Sequence, residues 1–93
     1  MDIKLGDNSY DIAENESDSF NLEEVSNLYT DYFKDFDFIL GDWSYGKLRL
    51  KGFCLRSNAR FKVYNDYKKM DDYVKTSCPP GCKYFVLKKL KKQ

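Results

Sequence analysis

The chain has 93 residues, 42% hydrophobic, 17% aromatic and 33% charged, which suits one small globular domain and excludes both two domains and a disordered chain. Its net charge of +1 hides two opposed halves. Residues 1–46 carry twelve acids against two bases (net −10), and residues 47–93 fourteen bases against three acids (net +11). In chain order, Ile3–Leu5, a Gly-Asp-Asn-Ser turn and Ser9–Glu14 read as an N-terminal hairpin, since Gly, Asp and Asn tolerate turn geometry. Asn15–Ser19 is a polar connector. Asn21, with Glu24 three residues on, has the form of a capping box opening a helix over Leu22–Lys34. Leu22, Val25, Leu28, Tyr29, Tyr32 and Phe33 make its apolar stripe.

Phe36–Trp43 then has strand character, and Ser44-Tyr45-Gly46 makes a turn. Lys47–Arg56 alternates: Leu48, Leu50 and Cys54 face one way, and Lys47, Arg49, Lys51 and Phe53 the other. Ser57–Ala59 offers a second turn, and Arg60–Tyr64 a third strand of a meander. A shorter helix follows in DYKKMDDYVKTS, with Asp66 as cap and Tyr67, Met70, Tyr73 and Val74 as apolar face. Cys78 precedes Pro79 and so stops it, Pro80-Gly81 fits a type II turn, and Tyr84–Leu87 is a strand buried on both faces. The expected fold is a single α+β domain over residues 1–93: a mainly antiparallel sheet of N-terminal hairpin, central three-strand meander and C-terminal strand. Two helices pack on one face, and residues 88–93 form a basic tail with freedom to move. Leaving out two strands gives the βαββαβ order of a ferredoxin-like core.

The absence of His removes the commonest general base and metal ligand. Cys78 and Cys82 have C-x3-C spacing, unlike zinc knuckles or redox motifs, and only Cys54 and carboxylates could complete a metal set. The spacing leaves open two small residues flanking a turn, a thiol pair with a regulatory role, or zinc, in that order. Neighbouring acids such as Asp35/Asp37, Asp71/Asp72 and Glu23/Glu24 belong to solvated surfaces. The glycines at 41, 46 and 52 match no phosphate-cradling spacing. No cofactor or metal site is expected, and no enzyme. The acidic N-terminus is unlike a signal peptide, and no apolar run approaches a membrane span, so a cytoplasmic protein is expected, monomeric by default.

The basic strand is the best site candidate. Its cations share a sheet face with Phe53, and single-stranded nucleic acid is bound by cations with planar rings. Lys51-Gly52-Phe53 opens like the RNA-recognition signature K/R-G-F/Y but departs from it at Cys54. Against this stands an ordinary polar sheet face paired with the acidic half.

Two separated blocks carry a family resemblance. Gly41-Asp42-Trp43, Leu48-Arg49-Leu50 and Gly52-Phe53 form one; Cys78, Gly81-Cys82 and Tyr84-Phe85-Val86-Leu87 form the other. With the Phe20-Asn21 helix entry, the chain resembles the YutD-like family of small proteins from low-GC Gram-positive bacteria. Pro79-Pro80 is a local departure that leaves the Cys spacing intact. The resemblance implies one small intracellular domain and supplies no mechanism. The expected function is a non-enzymatic binding module with RNA or a nucleoprotein as leading partner, through Trp43, Tyr45, Lys47, Arg49, Lys51, Phe53, Lys88, Lys89, Lys91 and Lys92. The competing expectations are a protein adaptor anchored by Trp43 and Tyr45, and thiol regulation at Cys78 and Cys82.

Overall fold

Five strands form one antiparallel sheet in the order β1-β2-β5-β3-β4. They are β1 (Asp2–Leu5), β2 (Asn8–Asn15), β3 (Phe38–Ser44), β4 (Lys47–Phe53) and β5 (Lys83–Lys89). Helix α1 (Leu22–Leu28) lies between β2 and β3, and α2 (Met70–Ser77) between β4 and β5. The computed structural model describes residues 2–15, 19–77 and 83–90. Both hairpins turn on two residues, as the Leu5–Asn8 and Ser44–Lys47 pairings require. The α+β class, the N-terminal hairpin, the C-terminal strand and both helices follow the sequence pattern.

The helices, however, lie on opposite faces of the sheet rather than on one. Val25 of α1 joins Ile3, Leu5, Tyr10, Ile39, Leu48, Phe85 and Leu87 in one core. Met70 of α2, with Tyr73 and Val74 beside it, closes a second core of Phe38, Leu40, Phe53 and Val86. The physical reason lies in β3 and β5, whose apolar residues run without alternation, so both faces must be covered. Burial of a large side chain on each face contributes roughly 1.5–3 kcal/mol, more than an uncovered face could recover in water.

Three further differences concern local chemistry. Arg60–Tyr64 forms no third strand, so the expected meander is a two-strand hairpin. Asn65 accepts from the Lys62 amide and donates to the Arg60 carbonyl (2.7 and 3.1 Å), while Asn58 accepts from the Arg60 amide and donates to the Asp35 backbone carbonyl and the Asp37 carboxylate. These side chains satisfy the backbone locally and so compete with strand pairing. Asp35 and Asp37, expected on a solvated surface, thus help fix the loop; Asp37 also accepts from the Leu55 amide at 2.8 Å. The chain order β2-α1-β3-β4-α2-β5 is the expected βαββαβ, but the sheet is not ferredoxin-like in space: without β1 it reads β2-β5-β3-β4, so β2 neighbours β5 alone and not β4 as well. Finally, α1 stops at Leu28 rather than Lys34. Asn21 caps its start by accepting from the Glu24 amide, but Tyr29 is extended and its hydroxyl meets that of Tyr10 at 3.1 Å. The exit carries Tyr29 and Phe33 onto the sheet, leaving Leu22, Leu28 and Tyr32 exposed.

Candidate functional site: the β3–β4 hairpin

The alternation of β4 places Lys47, Arg49, Lys51 and Phe53 on the α2 face, as its sequence period dictates. That face is only partly open: Lys47 and Arg49 are exposed, Lys51 is half-buried and Phe53 is covered. Phe53 is buried, its ring edge-on to Tyr73 at 5.8 Å, so it joins the core instead of standing out among the cations. The Lys51 ammonium sits 5.4 Å from the Phe53 ring centroid and 5.3 Å from that of Tyr73, within cation–π range. Burial raises the pKa of Tyr73.

Arg49 is committed more firmly. Opposite it in register lies Asp42, only 3% exposed. Arg49 Nε donates to Asp42 Oδ1 at 2.8 Å and Nη2 to Oδ2 at 3.2 Å, and this pairing raises the pKa of Arg49. A buried carboxylate needs such a partner, and the planar guanidinium fork fits it with two parallel bonds. The pair joins the acidic and basic halves of the sequence across one hairpin.

Trp43 points to the opposite face. Its indole Nε1 donates to the Ser19 carbonyl at 2.7 Å, while Ser19 Oγ donates to the Tyr84 carbonyl at 2.6 Å, anchoring the segment before α1 to the sheet. Tyr45 differs from all of these. It stands 93% exposed at the hairpin tip with φ +52°, followed by Gly46 at φ +77°. Positive φ at both residues is the type I′ arrangement, which Asn-Gly fills without strain and a tyrosine does not.

The remaining predicted residues do not gather into one patch. Lys88 and Lys89 belong to β5 rather than to a tail. Exposed Lys88 faces Asp11 in register, and Lys89 on the other sheet face donates to the Lys34 carbonyl at 3.2 Å. Cys78, Cys82, Lys91 and Lys92 lie outside the described residues. Cys54 is buried, and its thiol pKa is raised by burial and then by nearby Asp37. Among the described residues no group of three or more His, Cys, Asp or Glu could hold a metal, and no helix is long and apolar enough to cross a membrane.

Sequence reasoning missed a groove of about 370 Å³ beside β4, where Tyr32 and Phe36 face Arg60, Lys62 and Tyr64 across Leu50–Gly52. Gly52 makes it possible, because a Cβ there would run into the Phe36 ring. The spacing of Phe36 and Gly52 carries no sign of this, since the contact depends on how the loop before β3 folds back.

The geometry defines a small α+β sheet protein whose outstanding surface is an edge hairpin bearing a strained, exposed aromatic. A family model described as "Putative antitoxin YutD-like" matches residues 4–88, and the chain belongs to the YutD-like family. It is 37% identical over 90 residues to "Putative antitoxin YutD" of Bacillus subtilis (strain 168), across 97% of this chain and 99% of that protein. Its fold matches the solution NMR structure of B. subtilis protein yutD with a TM-score of 0.81 at 36% identity, over 99% of this chain and 84% of that one.

Proposed function

We propose that the protein is a non-enzymatic binding module whose partner is another protein, held inactive in the complex as the antitoxin description of its relatives implies. The carrying observation is Tyr45. A left-handed backbone costs a non-glycine residue of the order of 1–2 kcal/mol, and a side chain 93% exposed recovers none of it by packing. Folding gives no reason for tyrosine there. Binding does, because tyrosine supplies a large, partly polar contact area and is enriched among residues that dominate interfaces.

The same geometry favours protein over RNA. Of the residues expected to meet a nucleic acid, Arg49 is bonded to Asp42 and Phe53 is buried. An arginine already bonded to a buried carboxylate is less available to phosphate, and a buried Phe53 cannot stack on a base. Tagged protein captured from its native host with and without nuclease tests the choice. A stoichiometric protein partner that survives nuclease and depends on Tyr45 supports the proposal; recovery only of nuclease-sensitive material contradicts it.

A further inference from the structure

β4 is the last strand of the sheet, paired with β3 on one side only. In a two-residue hairpin the residues flanking the turn exchange both backbone hydrogen bonds, and the pattern alternates from there. Ser44 and Lys47 flank this turn, so Lys47, Arg49, Lys51 and Phe53 direct their amides and carbonyls to β3. Leu48, Leu50 and Gly52 direct theirs outward. At the next outward position the chain itself uses this edge. The Cys54 amide donates to the Asn65 carbonyl at 2.8 Å and the Tyr67 amide to the Cys54 carbonyl at 2.9 Å, a one-residue parallel bridge to Asp66. Because the bridge is parallel, the residues before it are the ones that could run along Leu48–Gly52, but Val63–Asn65 form a 3-10 turn across the groove, and among the described residues no backbone hydrogen bond joins them to Leu48, Leu50 or Gly52.

The walls of this edge have a definite character. Among the described residues no carboxylate lines the groove; its charged residues are Lys51, Arg60 and Lys62, while Tyr32, Phe36 and Leu50 supply its apolar part. Arg60 is paired with Asp35 behind it at 3.3 Å, in an exposed contact worth little. A second copy of the chain fits badly, because β4 against β4 would bring Lys47 and Lys51 of each strand close to their counterparts. An extended acidic segment fits well.

Resting on the protein-binding reading above, we infer that the β4 edge is a strand-addition site: it takes an extended segment of the partner protein in which acidic residues alternate with apolar or aromatic ones. Main-chain bonds to Leu48, Leu50 and Gly52 supply affinity, and the alternation supplies specificity. Acidic side chains lie on the Lys47–Lys51 face, and apolar ones pack toward Leu50, Phe36 and Tyr32.

Random dodecapeptides displayed on phage and selected against the full chain test this directly. The expected winners alternate acidic with apolar residues and shift the amides of residues 48–52 in NMR spectra. N-methylating every second backbone amide of a selected peptide weakens binding about tenfold or more, whereas methylating the intervening amides does not. Lys62→Glu, and separately Lys51→Gln, weaken binding while the circular dichroism melt confirms a folded chain. Winners without acidic alternation, uniform sensitivity to N-methylation, or shifts centred elsewhere overturn the inference. The variants are also tested against the nuclease-resistant partner. If that partner binds wild type and both variants equally, the edge site fails but the protein-binding reading stands; if wild type captures no protein, both fail.

Discussion

Asp42 and Arg49 face each other across β3 and β4, and their two hydrogen bonds turn a buried acid and a half-exposed base into one structural unit. The consequence is that the conspicuous cation of the basic strand is part of the fold. Arg49→Ala leaves the Asp42 carboxylate buried without its fork and is expected to cost about 1–3 kcal/mol, a range that allows for the solvent reaching Arg49. Asp42→Ala costs less, because the released guanidinium can hydrate. A double-mutant cycle by urea denaturation measures the coupling, and additive single effects would show that the pair contributes nothing.

Tyr45 trades stability for surface. Tyr45→Asn places at φ +52° a residue that tolerates it, so the variant is expected to gain about 1 kcal/mol while losing partner capture. Denaturant midpoints and capture yields check the two halves separately. A variant that gains stability and keeps full capture would remove the functional reason for the tyrosine.

Alkaline pH acts through buried hydroxyl and thiol groups. Burial, followed by the Tyr29 hydrogen bond, raises the Tyr10 pKa well above the roughly 10 of an exposed phenol. The unfolded chain therefore releases its proton first. The stability Tyr10 contributes is full below about pH 10 and is lost as pH climbs toward its folded value. Tyr73 and Cys54 are raised by burial in the same sense, with the Cys54 loss starting near pH 8.5, where an unfolded thiol titrates. Stability measured from pH 7 to 11 should fall progressively, and Tyr10→Phe should flatten the part above pH 10. At neutral pH the same variant loses about 0.5–1.5 kcal/mol with the Tyr29 bond.

Cys54 should be chemically silent in the folded chain. In a Cys78→Ser, Cys82→Ser background its thiol is expected to react with a disulfide reagent only at the rate of unfolding, since it is buried and its pKa is raised. Rapid labelling in native buffer would contradict the burial assigned to it.

Much of the fold was legible because it follows periodicity. The two hairpins, the Asn21 cap and the alternation of β4 come from short-range rules, and each is found as its residues suggest. Helix placement was less so, although the two-faced apolar run of β5 already required cover on both sides. The loop after Cys54 was misread because Arg60–Tyr64 has strand composition, while its conformation is set by Asn58 and Asn65, whose partners no local pattern reveals. The candidate site suffered most. Alternation correctly put Phe53 with the cations but could not say that α2 covers that face, and no spacing rule pairs Asp42 with Arg49 before the hairpin register is known.

We propose above that this chain binds a protein and holds it inactive. The most direct measurement expresses the nuclease-resistant partner alone and together with this chain, and follows growth of the host cells. Growth arrest by the partner alone, relieved by the wild-type chain and relieved less by Tyr45→Ala, is the predicted result. A partner that leaves growth unaffected, or an arrest that this chain does not relieve, would contradict the account.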